Sequence, residues 1–319
     1  MKALVYTAPR TMEYRDVPDP SGEVLLQVKS VGICGSDMHA WAGHDDRRPA
    51  PLILGHEAAG ITLDGRRVTV NPLVTCGTCA ACTNGRDNLC TTRQIISMPP
   101  REGAFAEMLS MPAQNLVTVP DDVSLAKAAL AEPIACGWHA VRLARNALDC
   151  PLDQARCLVL GGGAIGLGAA LVLAAQGPKS ITIAETNPAR RAMIKGPFDV
   201  IDPRDVDLPT VDLAIDGVGF AATRASASAA VRPGGVIMHI GLGDSAPGLD
   251  IRRLTLHEIA FIGTYTYTAQ DFRETAQAIF DGTLGPLDWF EERPLSQGAA
   301  AFDDIAAGRV AAPKIILNP

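Results

Sequence analysis

The stretch CLVLGGGAIGLGAALVLAAQG, from Cys157 to Gly177, decides the fold of the C-terminal part of the chain. A short apolar run that favours a buried strand leads into Gly161, and an alanine- and leucine-rich helical run follows the glycines. The stretch is uncharged up to its end and is close to the length of a membrane span. Because Gly161, Gly163 and Gly166 place a turn between strand and helix, a soluble, buried βα unit explains it better.

This glycine turn is typical of dinucleotide binding. Gly161 allows the tight turn, Gly163 lets backbone amides approach a pyrophosphate, and Gly166 lets the helix pack on the strand. The phosphates would lie where the helix begins, at Ala164 and Ile165, because free N–H groups and the helix dipole favour an anion there. The alternative interpretation is a glycine-rich packing turn.

The next apolar run, SITIAET, ends at Glu185, about twenty residues after Gly166, where dinucleotide-binding folds place an acid that binds the adenosine ribose. A carboxylate there accepts hydrogen bonds from the ribose hydroxyls and repels a 2′-phosphate, which favours NAD over NADP. Arg190 and Arg191 leave NADP open, since guanidinium groups near this strand could hold a phosphate. A solvated helix face would have the same two arginines.

Apolar strands, glycine turns and alanine-rich helices continue through DLAID and GVIMHIGL, which predicts a doubly wound α/β domain over residues 139–284. Ligands bind at the carboxyl ends of such parallel strands. We therefore expect the nicotinamide to be framed by the residues that follow those strands: Val218, Ile240, Gly241 and Thr264.

Short alternating or β-branched runs such as VLLQVKSVG and RRVTVNP, separated by Pro and Gly, fill the first third of the chain. They predict an antiparallel, β-rich domain over residues 1–138. The tail ends in another β-like run, and we expect residues 285–319 to return to this first domain.

Four cysteines lie in CGTCAACTNGRDNLC, residues 76–90: Cys76, Cys79, Cys82 and Cys90. Two-residue gaps, a fourth cysteine one loop away and glycines at the bends match an all-cysteine structural zinc site. The alternative is a pair of disulfides in an extracellular loop.

A second metal site is indicated by GICGSDMHAWAG and LILGHEAAG. Cys34 lies in a glycine-flanked turn, and His56 and Glu57 follow an apolar strand. A thiolate, an imidazole and a carboxylate leave a fourth position open, as in catalytic zinc sites. Core packing is the alternative for Cys34 or His56 taken alone.

The composition narrows the function. The chain has 319 residues, enough for about two domains, and 28 basic against 35 acidic residues give a net charge of −7. No basic surface for nucleic acid or anionic membrane is expected, so the partner should be a small molecule. The N-terminal sequence has no signal-peptide pattern, which favours the cytoplasm.

Together these motifs resemble the zinc-containing medium-chain alcohol dehydrogenases, within them the polyol and threonine dehydrogenase branch. The resemblance extends over GICGSD, GHE, the four-cysteine lobe, GAFAE, AEP, the glycine turn, RPGG and the ending KIILNP. It implies a GroES-like β-rich catalytic domain joined to a Rossmann domain, two Zn²⁺ per chain, an NAD-linked oxidation of a secondary alcohol or polyol, and a homodimer or homotetramer. An L-threonine dehydrogenase, a zinc-free quinone reductase and a non-catalytic scaffold remain alternatives.

The resemblance also implies residue roles. Cys34, His56 and either Glu57 or Glu132 would bind the catalytic zinc, with Asp37 orienting the histidine. Ser36 would take the hydroxyl proton and pass it, through the cofactor ribose, to His39 near the surface. The alternatives are a turn hydrogen bond for Ser36 and a surface position for His39.

The chain departs from this family by shortened segments at 44–51, 60–67 and 191–200. They leave open the rim of the substrate cleft, for which Trp41, His44, Asp45, Asp46 and Arg47 are candidates, and the adenine side of the cofactor site.

Overall fold

A computed structural model describes all 319 residues, Met1–Pro319. The chain divides into two compact units. The first comprises Met1–Glu132, Thr268–Gly282 and Phe290–Pro319, and the second comprises Pro133–Tyr267 and Thr283–Trp289. These bounds differ from the expected ones mainly at residues 268–282, which pack with the first unit.

The strands follow one another along the chain as β1 (Lys2–Ala8), β2 (Thr11–Asp16), β3 (Val24–Gly32), β4 (Leu52–Ile53), β5 (Glu57–Thr62), β6 (Arg67–Val70), β7 (Leu73–Val74), β8 (Gln94–Ile95), β9 (Met108–Met111), β10 (Leu116–Thr118), β11 (Arg156–Leu160), β12 (Ser180–Ala184), β13 (Asp199–Ile201), β14 (Val211–Asp216), β15 (Val231–His239), β16 (Ala260–Gly263), β17 (Phe290–Pro294) and β18 (Lys314–Asn318). The helices are α1 (Gly35–Trp41), α2 (Ala80–Thr83), α3 (Leu125–Ala129), α4 (Ala131–Ala147), α5 (Ala164–Gln176), α6 (Pro188–Met193), α7 (Ala221–Ala230), α8 (Ile251–Leu256), α9 (Ala269–Phe280) and α10 (Gly298–Ala306). No helix is both long enough and apolar enough to cross a membrane.

The first unit is the predicted β-rich domain. Its largest sheet has the strand order β10-β6-β5-β3-β18-β17, with β9 also paired to β3, and β2-β1-β4 form a smaller sheet. The pairs β3–β5, β5–β6 and β18–β3 are antiparallel, whereas β17 and β18 run parallel. Alternation of buried and exposed residues in β3, as in Leu26, Gln27 and Val28, gives the sheet one covered face.

The second unit is the predicted doubly wound domain. Six parallel strands have the order β13-β12-β11-β14-β15-β16, which reverses direction beside β11. The central strand β14 is buried at all six of its residues, as expected for a strand covered on both faces. Ligands bind in such folds at the carboxyl ends of the strands, where the order reverses.

Two of the segments expected to be short, 60–67 and 191–200, form compact connections. Residues 63–66 join β5 to β6 by a tight turn, in which Thr62 N–H bonds to the carbonyl of Arg66. On the adenine side, α6 has only six residues, and β13 begins six residues after it ends. The side chain of Ile194 then packs over the glycine turn, so close that a Cβ on Gly162 would lie 2.3 Å from its Cδ1.

Candidate metal centres and cofactor site

The four-cysteine lobe brings its thiols together. The ligand atoms of Cys76, Cys79, Cys82 and Cys90 all lie within 4.8 Å of one another, and no disulfide joins them. Neighbouring sulfurs are 3.5 to 3.9 Å apart, close to the separation of about 3.8 Å that Zn–S bonds of about 2.3 Å give in a tetrahedron. The four donors therefore fit one Zn²⁺.

The lobe favours the thiolate form of Cys76, although burial raises the pKa of Cys82 to about 12. Gly77 and Gly85 adopt φ of +71° and +69°, the left-handed conformation that lets the loops bend around the centre. Backbone N–H groups of Thr78 and Cys79 lower the pKa of Cys76 to about 5. Metal ligands must be thiolates, and this environment supplies at least one near neutral pH.

A second cluster comprises Cys34, His56 and Glu57, whose ligand atoms lie within 4.8 Å of one another. Cys34 precedes α1, His56 ends the loop after β4, and Glu57 is the first residue of β5. His56 and Glu57 are buried, whereas Cys34 is half-buried. The loop–helix junction and the start of a sheet strand thus bring together a thiol, an imidazole and a carboxylate.

Asp37 organises this cluster. One carboxylate oxygen accepts the N–H of Cys34 at 3.0 Å, and the other accepts the N–H of Gly55 at 3.1 Å and lies 3.5 Å from His56 Nδ1. Ser97 Oγ also lies 3.4 Å from that nitrogen. Since Nδ1 faces these two groups, Nε2 is the nitrogen of His56 that remains for a metal.

The same contacts shift the titration of both side chains. Burial lowers the pKa of His56, but the facing Asp37 and Cys34 outweigh it and raise the pKa well above its ordinary value. Burial raises the pKa of Asp37, but His56 and Arg48 hold it below its usual range. The cluster is therefore one that stabilises positive charge.

Glu57 has one paired and one unpaired oxygen. Oε1 forms an ion pair with Lys314 Nζ at 2.5 Å, and the ammonium also donates to the carbonyl of Ile33 at 2.9 Å. Burial lowers the pKa of Lys314, but Glu57 and Cys34 more than compensate and raise it. Oε2 of Glu57 is buried without a hydrogen-bond partner. A buried carboxylate oxygen left in this way fits a bound cation.

Glu132 is the other candidate for the third ligand. It is buried in the first turn of α4, but its carboxylate does not join the group of three that lies within 4.8 Å. Its charge still reaches the cluster, because it contributes to the raised pKa of Lys314. The structure therefore groups Glu57, and not Glu132, with Cys34 and His56.

Ser36 and His39 lie on α1, next to this cluster. Ser36 is half-buried, and His39 is exposed. No hydrogen bond joins the hydroxyl of Ser36 to the ring of His39. Trp41, expected at the rim of a substrate cleft, is instead a core residue: it is 4% exposed and packs against Phe302 with ring centroids 5.9 Å apart.

The glycine turn in the second unit has the shape of a phosphate cradle. Gly161 has φ of +92°, and a Cβ on Gly166 would lie 1.9 Å from the carbonyl oxygen of Gly161. By contrast, a Cβ on Gly163 would meet nothing within 4 Å. Helix α5 begins at Ala164, directly after Gly163. The backbone N–H groups of its first turn, including those of Ala164 and Ile165, have no partner within the helix and are free to bind an anion. The turn fits a dinucleotide pyrophosphate.

Glu185 lies directly after β12 and is tied to the glycine turn. Its carboxylate accepts the N–H of Gly162 at 2.9 Å and that of Asn187 at 2.7 Å. Arg190 Nη1 lies 3.6 Å from the same carboxylate, and Arg191 forms a 2.8 Å ion pair with Asp202. Acidic groups therefore already face both arginines.

The residues expected around the nicotinamide follow the carboxyl ends of three neighbouring strands, β14, β15 and β16. A Cβ on Gly241 would lie 2.2 Å from the carbonyl carbon of Val218, so these two loops touch through their backbones. Ile240 N–H bonds to the carbonyl of Asp216, and Thr264 N–H bonds to that of His239. The structure thus places Val218, Ile240, Gly241 and Thr264 at one edge of the sheet.

The sequence did not indicate three residues that support the cluster of Cys34, His56 and Glu57: Lys314, Ser97 and Arg48. The sequence gives a weak indication of the role of Lys314. A lysine at the start of the apolar run KIILN either lies outside the buried part of the strand or needs a buried acidic partner. Ser97 and Arg48 carry no such signal, since each reaches the cluster from an irregular loop.

Comparisons with known proteins agree with this geometry. The model of the alcohol dehydrogenase GroES-like domain matches residues 20–121, and that of the zinc-binding dehydrogenases matches residues 164–281. The chain is 31% identical to L-galactonate-5-dehydrogenase of Escherichia coli K12, over 89% of this chain and 88% of that one. It is 34% identical to sorbitol dehydrogenase of Bacillus subtilis, over 84% and 82% of the two chains.

Solved structures show the same fold. The alcohol dehydrogenase rspB of Escherichia coli CFT073, complexed with NADH, superposes with a TM-score of 0.87 at 25% identity, covering 100% of this chain and 99% of that one. These matches confirm the fold class and the family expected from the motifs. The chain therefore belongs to the zinc-containing medium-chain alcohol dehydrogenases, in their polyol and threonine dehydrogenase branch, and is an oxidoreductase.

Proposed function

We propose that this enzyme oxidises a secondary alcohol or polyol to the ketone, with NAD as the hydride acceptor. The observation that carries this proposal is the cluster of Cys34, His56 and Glu57, in which a buried carboxylate oxygen has no partner. Relatives named for L-galactonate and sorbitol support a polyhydroxylated substrate.

The two donor sets support the proposal of two Zn²⁺ per chain. Cys34 and His56, with Glu57 or Glu132, would hold the catalytic ion, and the four thiols of the lobe would hold the structural ion. A catalytic zinc lowers the pKa of a bound hydroxyl, and a nicotinamide accepts a hydride. Three protein ligands leave a fourth coordination position, which a substrate oxygen could occupy.

Ser36 and His39 would carry the proton of the substrate hydroxyl away from the site. Ser36, half-buried beside Cys34, would accept the substrate hydroxyl proton at Oγ. The imidazole of His39 is exposed, so it can pass a proton on to water. Asp37 would keep His56 oriented through its contact with Nδ1.

The preference for NAD rests on Glu185. Its carboxylate lies directly after β12, where it can accept hydrogen bonds from the ribose hydroxyls and would repel a 2′-phosphate. Ion pairing of Arg190 and Arg191 with nearby acids makes both guanidinium groups poorer partners for a phosphate. NAD therefore suits this edge better than NADP.

We also propose a cellular compartment and an oligomeric state for the enzyme. All eight cysteines are free thiols, which supports a reducing compartment such as the cytoplasm.

Strand β16 forms the edge of the parallel sheet and exposes Phe261. An unpaired edge of this kind can extend the sheet into a second copy, which supports a homodimer or homotetramer.

The test is the initial rate of NADH formation with sorbitol, other polyols, sugar acids, simple secondary alcohols and L-threonine, each with NAD and with NADP. We expect turnover confined to polyhydroxylated or secondary alcohols with NAD, and its loss in Cys34→Ser. Retained NADH binding by that variant would show that the cofactor domain is intact. Activity with threonine alone, or turnover unaffected by Cys34→Ser, would contradict the proposal.

The third ligand can be tested by zinc content. We expect Glu57→Gln to lower zinc occupancy at the catalytic site more than Glu132→Gln does, because only Glu57 lies within the cluster. The reverse order would assign the ligand to Glu132.

A further inference from the structure

Arg48 is a buried arginine to which the proposed chemistry gives no role. Its side chain is only 2% exposed. Nε donates to the carbonyl of Ser97 at 2.9 Å, and Nη1 donates to the carbonyl of Ser36 at 3.0 Å and to Asp45 Oδ2 at 3.2 Å. Burying a guanidinium is costly, so a site that retains one must hold its acceptors firmly in place.

Both carbonyl partners belong to segments that touch the catalytic cluster. Ser36 lies two residues after Cys34 in α1, and the hydroxyl of Ser97 lies 3.4 Å from His56 Nδ1. Arg48 therefore bridges the segment that supplies the thiol and the loop that contacts the imidazole.

The Ser97 end of this bridge is held in an unusual conformation. Ser97 is completely buried and has φ of +68°, a left-handed conformation that is unfavourable for a residue with a Cβ. The hydrogen bond from Arg48 Nε to its carbonyl is one of the contacts that can offset this cost. Without this hydrogen bond, fewer contacts hold the loop in the conformation that keeps the Ser97 hydroxyl beside His56 Nδ1.

We propose that Arg48 is a positioning residue for the catalytic metal: by fixing the carbonyls of Ser97 and Ser36, it keeps the Ser97 hydroxyl against His56 Nδ1 and the imidazole directed at the ion. This inference rests on the proposed zinc-dependent function and names a residue outside the ligand set. Arginine suits the role better than lysine, because two nitrogens of one rigid plane serve two carbonyls at once.

The test compares zinc release from Arg48→Met, Arg48→Lys and Ser97→Ala with release from the unsubstituted enzyme, in the presence of excess chromophoric chelator. Cys34→Ser identifies the catalytic phase, since that phase should be absent from it. Arg293→Met is the matched control: this arginine of the same unit is 17% exposed and pairs with Glu291 and Asp304, far from any ligand in sequence.

Losing support around a metal ligand typically weakens metal binding about 10- to 100-fold, and we expect Arg48→Met to release catalytic zinc faster by a factor of the same order. The structural zinc should leave at an unchanged rate. Arg48→Lys should be intermediate, because one ammonium can serve only some of the acceptors, and Arg293→Met should match the unsubstituted enzyme. Ser97→Ala should add little in the Arg48→Met background, because both act through the same contact.

Two results would overturn the proposal: a folded Arg48→Met enzyme with ordinary release of catalytic zinc, or effects of Arg48→Met and Ser97→Ala that simply add. If Arg48→Met does not fold, Arg48→Lys decides, since unchanged release in that variant also contradicts the proposal. Absence of any Cys34-dependent phase would overturn the metal site and this inference together. An intact phase without alcohol oxidation would contradict only the proposed function.

Discussion

At the scale of single residues, the ion pair between Glu57 and Lys314 sets the charge balance of the cluster of Cys34, His56 and Glu57. Both side chains are buried, and each would be costly to leave alone. Lysine neutralises one carboxylate oxygen and leaves the other unpaired. The pair therefore presents a partly compensated carboxylate, which can accept a cation without carrying a full uncompensated charge in its absence.

We predict that Lys314→Met destabilises the metal-free protein by about 3–5 kcal/mol, the usual cost of removing one member of a buried ion pair. The loss should be smaller with zinc bound, because the ion would supply the missing positive charge. Urea unfolding of chelator-treated and zinc-loaded protein measures both values.

The double variant Glu57→Gln, Lys314→Met serves as the control, since it removes the orphaned charge and should recover part of the stability. Equal losses with and without zinc would show that Glu57 does not face the ion.

How far this cluster was predictable depends on distance along the chain. Cys34, His56 and Glu57 lie in short motifs whose residue types indicate a metal, and the structure brings them together. Lys314 is 257 residues from Glu57, and no spacing rule connects them. Only the pairing of β18 with β3, which follows from the folded sheet, places the lysine there.

At the scale of elements, one carboxylate ties three neighbouring strands of the parallel sheet. Asp212 of β14 accepts the backbone N–H and the guanidinium of Arg156 in β11, at 2.8 and 3.0 Å. Its other oxygen accepts Nε of Arg232 in β15 at 2.6 Å. Burial raises the pKa of Asp212, but the two arginines outweigh it and hold the pKa far below the ordinary value.

This shift predicts how stability changes with pH. Because the pKa of Asp212 is depressed in the folded state, its contribution is present above the unfolded pKa of about 4 and is lost as pH falls toward the folded value. We expect Asp212→Asn to be less stable than the unsubstituted protein at pH 7, and the difference to shrink below about pH 4.

Unfolding free energies at a series of pH values from neutral to acid measure this difference. Asp121→Asn is the control, because that carboxylate is fully exposed and lies 4.0 Å from its nearest arginine. A difference between Asp212→Asn and the unsubstituted protein that stays constant with pH would contradict the interpretation.

Strands β11, β12, β14 and β15 were predictable because each contains a short apolar run followed by glycine or a turn. Strand β14, DLAID in the sequence, is buried throughout and so cannot be confused with an exposed edge. The ties between strands were not predictable, since Asp212 and Arg232 look like ordinary surface charges in a sequence. Their pairing depends on register, which sets Val211 opposite Val231.

At the scale of the whole molecule, the course of the chain was harder to predict than its two domains. The expected division kept residues 139–284 together, yet α9 packs with the first unit. The reason is long-range contact: Asp87 of the four-cysteine lobe accepts the first helical N–H of α9, from Ala269, at 3.0 Å. At its other end, Phe280 packs on a core that includes Ala59 and Ala128.

Through this hydrogen bond, the four-cysteine lobe also affects helix α9. A carboxylate at a helix N-terminus stabilises the helix through its free N–H groups and dipole. Asp87 can do so only if the turn that carries it is held, and Cys82 and Cys90 on either side would hold it through the metal. Loss of the zinc that we propose for the lobe should therefore loosen the beginning of α9 as well as the lobe.

We predict that Cys82→Ser binds one zinc fewer per chain and exchanges the amide hydrogens of the first turn of α9 faster. Asp87→Ala should show the same faster exchange with both zinc ions retained, and should cost about 0.5–2 kcal/mol of stability, as losses of helix caps do. Metal analysis and hydrogen exchange measure the two effects separately. Protection of Ala269 that survives both substitutions would mean that the capping box of Thr268 and Asp271 holds the helix without help from the lobe.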